Sequence, residues 1–328
     1  MADIERRRFL AAAGALLTAP LARADHASKV WRLGVLRPGP DDAAFRENIA
    51  PFWPALRNAG FVEGKNLQIT YRVRPAKQEE MLILANELVR AKVDAILAIS
   101  PLGVSAAAKA TKSIPIVAVD LGSDPLIEKF AESLARPGRN VTGLFLDFPE
   151  MGGKWIQLLR DAVPNLTRVG VLWDPSIGAA LLRGAEAAAA AMRVRVERLE
   201  ARTPANLPSA FEAAATRKLE ALLVLSTPVF ASALNEIANR ALKGHLPTIM
   251  LFPGFADAGG LMAYGPHLTS MFSQAAGCMA KVLRGAPPGE IAIERPSRFE
   301  MVINMKTAKA LHLTIPQAIL LHADRVIE

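Results

Sequence analysis

Arg32-Leu33-Gly34-Val35-Leu36 and Arg168-Val169-Gly170-Val171-Leu172 are two copies of one short pattern, 136 residues apart. Each is an apolar run of strand length, entered by an arginine and interrupted by one glycine. Two further pairs follow in the same order. Asp94-Ala95-Ile96-Leu97-Ala98-Ile99-Ser100 matches Glu220-Ala221-Leu222-Leu223-Val224-Leu225-Ser226 at an offset of 126. Ser113-Ile114-Pro115-Ile116 matches His245-Leu246-Pro247-Thr248 at an offset of 132. Short apolar runs resemble one another by chance, but three ordered matches at nearly one offset point to a duplicated unit. Runs that are apolar throughout, rather than alternating, suit strands of a parallel sheet, whose two faces are both covered by helices.

Working outward from these runs, strands and helices alternate. In the first half, strands are expected at 31–36, 66–73, 93–99, 115–119 and 141–146. Helices are expected between them. The helix that ends at Gly60 should kink or split at Pro51 and Pro54. Lys77–Ala91 places Met81, Leu84 and Leu88 on one helical face, and Gly103–Lys112 forms a small helix. Pro125–Ala135 reads as a helix capped by Asp124, with proline at its first position. The second half gives strands at 168–173, 194–200, 219–225 and 247–252, and helices at 153–162, 178–192, 206–217 and 230–243. This alternation means an α/β architecture of two similar lobes with parallel sheets.

Composition removes several function classes. The 328 residues are 51% hydrophobic and 21% charged, too apolar for a disordered chain and enough for two ordinary domains. No uncharged apolar run reaches the ~18 residues of a membrane span, so the chain is not expected to span a membrane. The net charge of +8 is scattered, without a dense basic block or interleaved aromatics, so no nucleic-acid partner is expected. Cys278 is the single cysteine, which excludes an internal disulfide and any cysteine-built zinc site. Its neighbours Ala275, Ala276, Met279 and Val282 mark it as a buried thiol inside a helix.

Residues 1–24 read as an export signal. Arg6-Arg7-Arg8 is the charged region, Phe9 to Leu21 a short apolar region, and Ala22-Arg23-Ala24 a small-x-small cleavage site. Arg6-Arg7-Arg8-Phe9-Leu10 also fits the core of twin-arginine signals. No cysteine follows to carry a lipid anchor. The expected product starts at Asp25 and is periplasmic.

Enzyme signatures are missing. No G-x-G-x-x-G follows a strand, no G-x-S-x-G forms a nucleophile elbow, and the five histidines lack metal-ligand spacing. No catalytic residue, metal or cofactor is therefore expected. What remains is a set of residues at strand exits. In open α/β sheets, ligands bind beyond the carboxyl ends of strands. Arg37 follows the first strand. Ser100, with Leu102, leads from the second into a helix. Asp120 and Gly122 follow the third, and Asp147 the last strand of the first half. Trp173, Asp174, Thr227 and Phe252 occupy the corresponding exits of the second half, and Tyr264 lies beyond. Each alone serves more commonly as a cap, turn or core residue. As a set they would line a cleft between two lobes, with helix N-termini offering N–H groups to an anion.

Several stretches carry a resemblance. Gly60-Phe61-Val62-Glu63-Gly64-Lys65-Asn66, Arg136-Pro137-Gly138-Arg139-Asn140-Val141-Thr142-Gly143, Ala258-Gly259-Gly260-Leu261-Met262-Ala263-Tyr264-Gly265-Pro266 and Val302-Ile303-Asn304-Met305-Lys306-Thr307 are the main ones. Through them the chain resembles the extracytoplasmic substrate-binding proteins of ABC transporters, tryptophan/tyrosine type, over residues 31–328.

The resemblance implies a type I periplasmic binding fold, with lobes joined by a three-stranded hinge that closes on ligand. Lobe 1 would comprise residues 28–144 plus 266–286, and lobe 2 residues 145–265 plus 287–328. The partners implied are a small polar solute, such as an amino acid or related carboxylate, and the importer's permease; the receptor would be a monomer. A solute carboxylate would meet N–H groups near Ser100–Gly103 or Gly122–Asp124. An ammonium would meet Asp120, Asp147 or Asp174. Ser100-Pro101-Leu102-Gly103 and Phe252-Pro253-Gly254 depart from the family's usual loops. The alternatives are a receptor that signals to a membrane sensor, and an exported enzyme on a two-lobed scaffold.

Overall fold

The computed structural model describes residues 29–74, 77–146, 148–175 and 180–328. The export-signal reading of 1–24 lies outside the described residues.

The quoted repeat is the centre of both sheets. β1 (Trp31–Pro38) pairs in parallel with β2 (Leu67–Arg74) on one side and β3 (Ala95–Ile99) on the other. β4 (Ile116–Asp120) and β5 (Val141–Phe145) complete a five-stranded parallel sheet of order β2-β1-β3-β4-β5. In the second half, β6 (Arg168–Trp173), β7 (Arg195–Glu200), β8 (Ala221–Val224), β9 (Thr248–Met250) and β10 (Met262–Pro266) run in the order β7-β6-β8-β9-β10. That is the first order repeated strand for strand. β11 (Phe299–Asn304) adds antiparallel to β10, and β12 (Arg325–Ile327) adds parallel to β11, giving seven strands.

The glycine of the repeat is set by packing in both halves. A Cβ on Gly34 would lie 2.9 Å from Leu88 Cδ1, and one on Gly170 2.7 Å from Leu219 Cδ1. The carboxylate that opens the second matched pair also recurs in role. Asp94 Oδ2 accepts the Arg32 N–H at 2.7 Å, and Glu220 Oε2 accepts the Arg168 N–H at 2.9 Å. In each half an acidic residue ahead of one strand anchors the start of its neighbour.

Helices cover both faces. α1 (Ala43–Ile49) and α2 (Phe52–Asn58) are the expected single helix, split at Pro51. α3 (Gln78–Arg90) buries Met81, Leu84, Ala85 and Leu88, and Glu80 caps it by accepting the Lys77 N–H at 2.8 Å. α4 (Ser100–Ala110) follows β3 directly. On the second sheet lie α5 (Phe148–Ala162), α6 (Ala180–Ala191), α7 (Leu207–Thr216), the short α8 (Pro228–Ala231), α9 (Leu234–Lys243) and the short α10 (Gly254–Asp257). α11 (Leu268–Leu283) leaves β10 and packs back on the first sheet, where Met271, Phe272 and Met279 join Leu33, Leu97 and Val117 in one core. Cys278 is 1% exposed within it, and burial pushes its thiol up to about 12. Two short helices, α12 (Met305–Ala310) and α13 (Gln317–Leu320), precede β12.

The chain thus passes between the sheets three times: after β5, after β10 and before β11. Two readings need correction. Pro125–Ala135 is not a helix. Asp124 does cap, with Oδ1 accepting the Leu126 and Ile127 N–H groups, but a single turn ends at Lys129, whose φ is +58°. Residues 287–295 were expected with the second lobe, yet Ile291 and Ile293 are buried in first-sheet cores and Glu294 bridges to Leu144 of β5.

Candidate functional site

The strand exits of the first sheet are locked together by two loops. α4 starts without a side-chain cap, Ser100 takes a positive φ of +73°, and its Oγ stands 3.4 Å from the Gly103 nitrogen. A Cβ on Gly103 would come within 3.2 Å of the Leu36 carbonyl, so glycine lets α4 abut the end of β1. A Cβ on Gly122 would sit 2.4 Å from Pro101 Cγ, so the loop after β4 lies directly against the start of α4. Ser100, Leu102, Asp120 and Gly122 are therefore neighbours.

Asp120 is the centre of this cluster and is fully buried. Its Oδ1 accepts N–H groups from Gly122 at 2.8 Å and Ser123 at 2.9 Å, an Asx turn. Its Oδ2 is buried with no hydrogen-bond partner. Burial pushes the carboxyl up to about 6, against the pull of those two N–H groups and of the Ser123 hydroxyl.

The second sheet answers at the exit of β6. Trp173 is half-buried and packs against that sheet's core, with Nε1 shielded from water and without a partner. The contrast with Trp155 is direct, because the Trp155 Nε1 donates to the Tyr264 carbonyl at 2.8 Å. Asp174 is buried beside Trp173, at 4% exposure. Thr227 is buried at the exit of β8, where its Oγ1 accepts the Phe230 N–H at 3.2 Å and caps α8. Phe252 follows β9 and packs on the same core as Trp173.

The two halves meet at Leu121, which packs against core residues of both sheets. Nearby, the Leu146 N–H donates to the Asp120 carbonyl at 3.3 Å. Leu121 and Pro101 carry no polar signal, and nothing in the sequence marks them as junction residues. Their sequence clue is only adjacency to Asp120 and Ser100.

Three candidates stand apart. The Arg37 Nη1 donates to the Pro40 carbonyl at 2.6 Å, and the guanidinium lies 4.3 Å from the Phe45 ring, so it braces its own turn. Tyr264 sits inside β10, stacked on Phe299 at 5.7 Å, rather than at a strand exit. Asp147 lies outside the described residues. Two surface hollows, of about 540 and 620 Å³, are lined by none of the candidates. Among the described residues no helix is long and apolar enough to cross a membrane.

Two mostly parallel α/β units of equal strand order, joined by three crossings and meeting at strand exits, define the type I periplasmic binding fold. The chain belongs to the ABC transporter substrate binding protein family, which it matches over residues 41–327. It is 26% identical over 264 residues to a tyrosine-binding protein of Clostridioides difficile, covering 80% of this chain and 75% of the relative. A conserved domain protein of Vibrio cholerae superposes with a TM-score of 0.81 at 25% identity, covering 91% of this chain and all of the other. The ABC domain of a Streptococcus pneumoniae protein in complex with L-Trp gives a TM-score of 0.79 at 21% identity, over 90% and 99%. The family is one of substrate-binding proteins, not enzymes. The resemblance read from the R-P-G-R-N-V-T-G and A-G-G-L-M-A-Y-G stretches is therefore correct at the level of family and fold.

Proposed function

We propose that this protein is the extracytoplasmic receptor of an ABC importer, and that it holds an amino acid or related small carboxylate between its two α/β lobes. One observation carries this reading. Among the described residues, two buried side-chain polar atoms lack a partner, Asp120 Oδ2 and Trp173 Nε1. One accepts and the other donates; one belongs to each sheet; both stand at a strand exit. Leaving such groups unpaired costs about 1–3 kcal/mol each, so each needs an explanation. A solute with a donor for Asp120 and an acceptor for Trp173 would satisfy both and draw the lobes together.

The remaining assignments follow from charge. An ammonium group suits Asp120, with Asp174 and Asp147 as further acidic groups. A carboxylate suits the start of α4 near Ser100 and Leu102, at the positive end of the helix dipole. Gly122 allows the close approach of that loop, and Thr227 and Phe252 complete the second lobe's side, while Tyr264 stands apart within β10. Arg37 supports the turn beside the site. Closure on the three crossings is a population shift, with the bound solute contributing the differential contacts. The permease would read the closed form. Residues 1–24 would direct export and be removed after Ala24. The reading involves no chemical step.

The test is a thermal-shift screen against L-amino acids and small carboxylates, after unfolding and refolding to strip bound solute. Ligand at about 1,000 times its dissociation constant adds ~4 kcal/mol, a rise on the order of 10 °C. A hit that Trp173→Phe and Asp120→Asn both weaken supports the placement. A hit that neither variant weakens overturns it.

A further inference from the structure

A cationic hollow lies outside the proposed solute site and is lined by none of its residues. The hollow of about 540 Å³ is lined by Lys109 and Lys112 at the end of α4, by Glu128, Lys129 and Phe130 from the turn after β4, and by Arg139 before β5. Asn140 fixes its rim by donating to the Thr111 and Ile114 carbonyls, at 3.1 and 2.9 Å. These residues sit where β4 and β5 begin, at the end of the first sheet opposite the strand exits. All four cations are exposed, and none is ion-paired among the described residues; Lys112 Nζ donates to the Ala108 carbonyl. Four positive charges face one carboxylate, Glu128.

A second observation comes from the same turn. Leu126 and Ile127 are 44% and 58% exposed, adjacent in sequence to Glu128 and Lys129. Exposed aliphatic side chains beside unpaired cations form a combination that a free anion does not require. It suits an anionic lipid surface, where cations meet headgroup phosphates and the apolar tips enter the acyl boundary.

We propose that this cationic hollow and the Leu126-Ile127 tip form a peripheral docking patch for anionic phospholipid headgroups. The patch would hold the protein reversibly at a membrane surface. The chemistry is charge attraction plus shallow apolar insertion, so binding should weaken with salt.

The experiment is co-sedimentation of the protein, purified from the extracytoplasmic fraction, with phosphatidylcholine vesicles lacking or containing 30% phosphatidylglycerol. Each cation near an anionic surface is worth about fivefold in partition. Lys109→Gln, Lys129→Gln and Arg139→Gln combined should therefore lower binding to the anionic vesicles on the order of 100-fold. The equal charge change at exposed Lys65, Lys218 and Lys243 should lower it far less. Leu126→Ser with Ile127→Ser should weaken binding at unchanged charge, which keeps the test alive if the charge variant does not fold. Equal loss in the control triple, equal binding to neutral vesicles, or binding of inorganic pyrophosphate without vesicle binding would each overturn the proposal.

Discussion

The Arg295 Nη1 donates to the Leu146 carbonyl at 3.0 Å and to the Phe145 carbonyl at 3.3 Å, so the third crossing between the sheets is tied to the first. The same segment is held to α11, which follows the second crossing. Gln274 Nε2 donates to Glu294 Oε2 at 2.7 Å and to the Arg295 carbonyl at 3.0 Å, and Gln274 Oε1 accepts the Ser297 N–H at 3.3 Å. These bonds tie the third crossing to the first and to the helix that follows the second. The position of Arg295 makes it the residue that couples them.

Arg295→Ala should therefore act on the crossings more than on either core. Losing charge-assisted bonds to two buried main-chain carbonyls costs about 1–3 kcal/mol. For a chain of this size that is a fall in melting temperature of several degrees. Amide hydrogen exchange should rise at 143–146 and 294–297 and stay unchanged at β1 and β6. Uniform loss of protection across both sheets would contradict the coupling role.

Asp120 sets a pH dependence whose sign follows from its burial. Its carboxyl is pushed up to about 6 in the fold, against 3.8 for the ordinary group. The folded state thus holds the proton over a range in which the unfolded chain has released it. Its stabilising contribution is complete below about pH 4 and is lost as pH rises through about 6. The full difference is about 3 kcal/mol. Asp120→Asn should flatten the stability profile between pH 4 and 6, measured by urea denaturation at each pH. A solute that offers an ammonium to Asp120 Oδ2 should bind more tightly above pH 6 than at pH 5. An unchanged profile in the variant would place the titration elsewhere.

Much of the scaffold was readable because the duplication wrote it twice. Arg32–Leu36 and Arg168–Leu172 matched in sequence and became the central strands of sheets with the same order. Asp94 and Glu220 matched as the opening residues of a pair, and both turned out to anchor a neighbouring strand. Local propensity failed where a tertiary constraint intervened. Asp124-Pro125 carries a sound helix start, but the chain must turn back toward β5, and it leaves the helical path at Lys129. The boundary at 287 failed for a related reason. The resemblance implies that the second lobe resumes at 287, whereas Ile291 and Ile293 are buried in the first lobe. Polarity and position singled out Asp120 and Trp173 as candidates. Only three-dimensional packing could show that each has an atom left without a partner.

Gly122 should not tolerate a side chain. Its Cβ would fall 2.4 Å from Pro101 Cγ, on a ring that cannot swing away, so one of two loops must shift. Overpacking of this kind costs about 1–3 kcal/mol. Gly122→Ala should lower stability by that amount and also disturb the Asx turn, because the Gly122 N–H donates to Asp120 Oδ1. Solute affinity should fall along with stability. Gly153→Ala, where no atom lies within 4 Å of the added carbon, is the matched control and should cost far less.

Trp173 allows stability and binding to be separated. Its indole N–H is buried without an acceptor, so the group costs free energy. Trp173→Phe removes the N–H and keeps most of the ring's packing against the second core. The ligand-free variant should be as stable as the parent to within ~1 kcal/mol, the smaller ring offsetting the relieved N–H. Its affinity for any solute that accepts this hydrogen bond should fall about tenfold, since ~1.4 kcal/mol corresponds to one decade. Calorimetric titration of both proteins with the solute found in the screen measures the second effect, and urea denaturation the first. Equal affinity would show that Trp173 serves only as a wall. A large loss of stability with no change in affinity would place its N–H in the core and move the donor role to another strand exit of the second sheet.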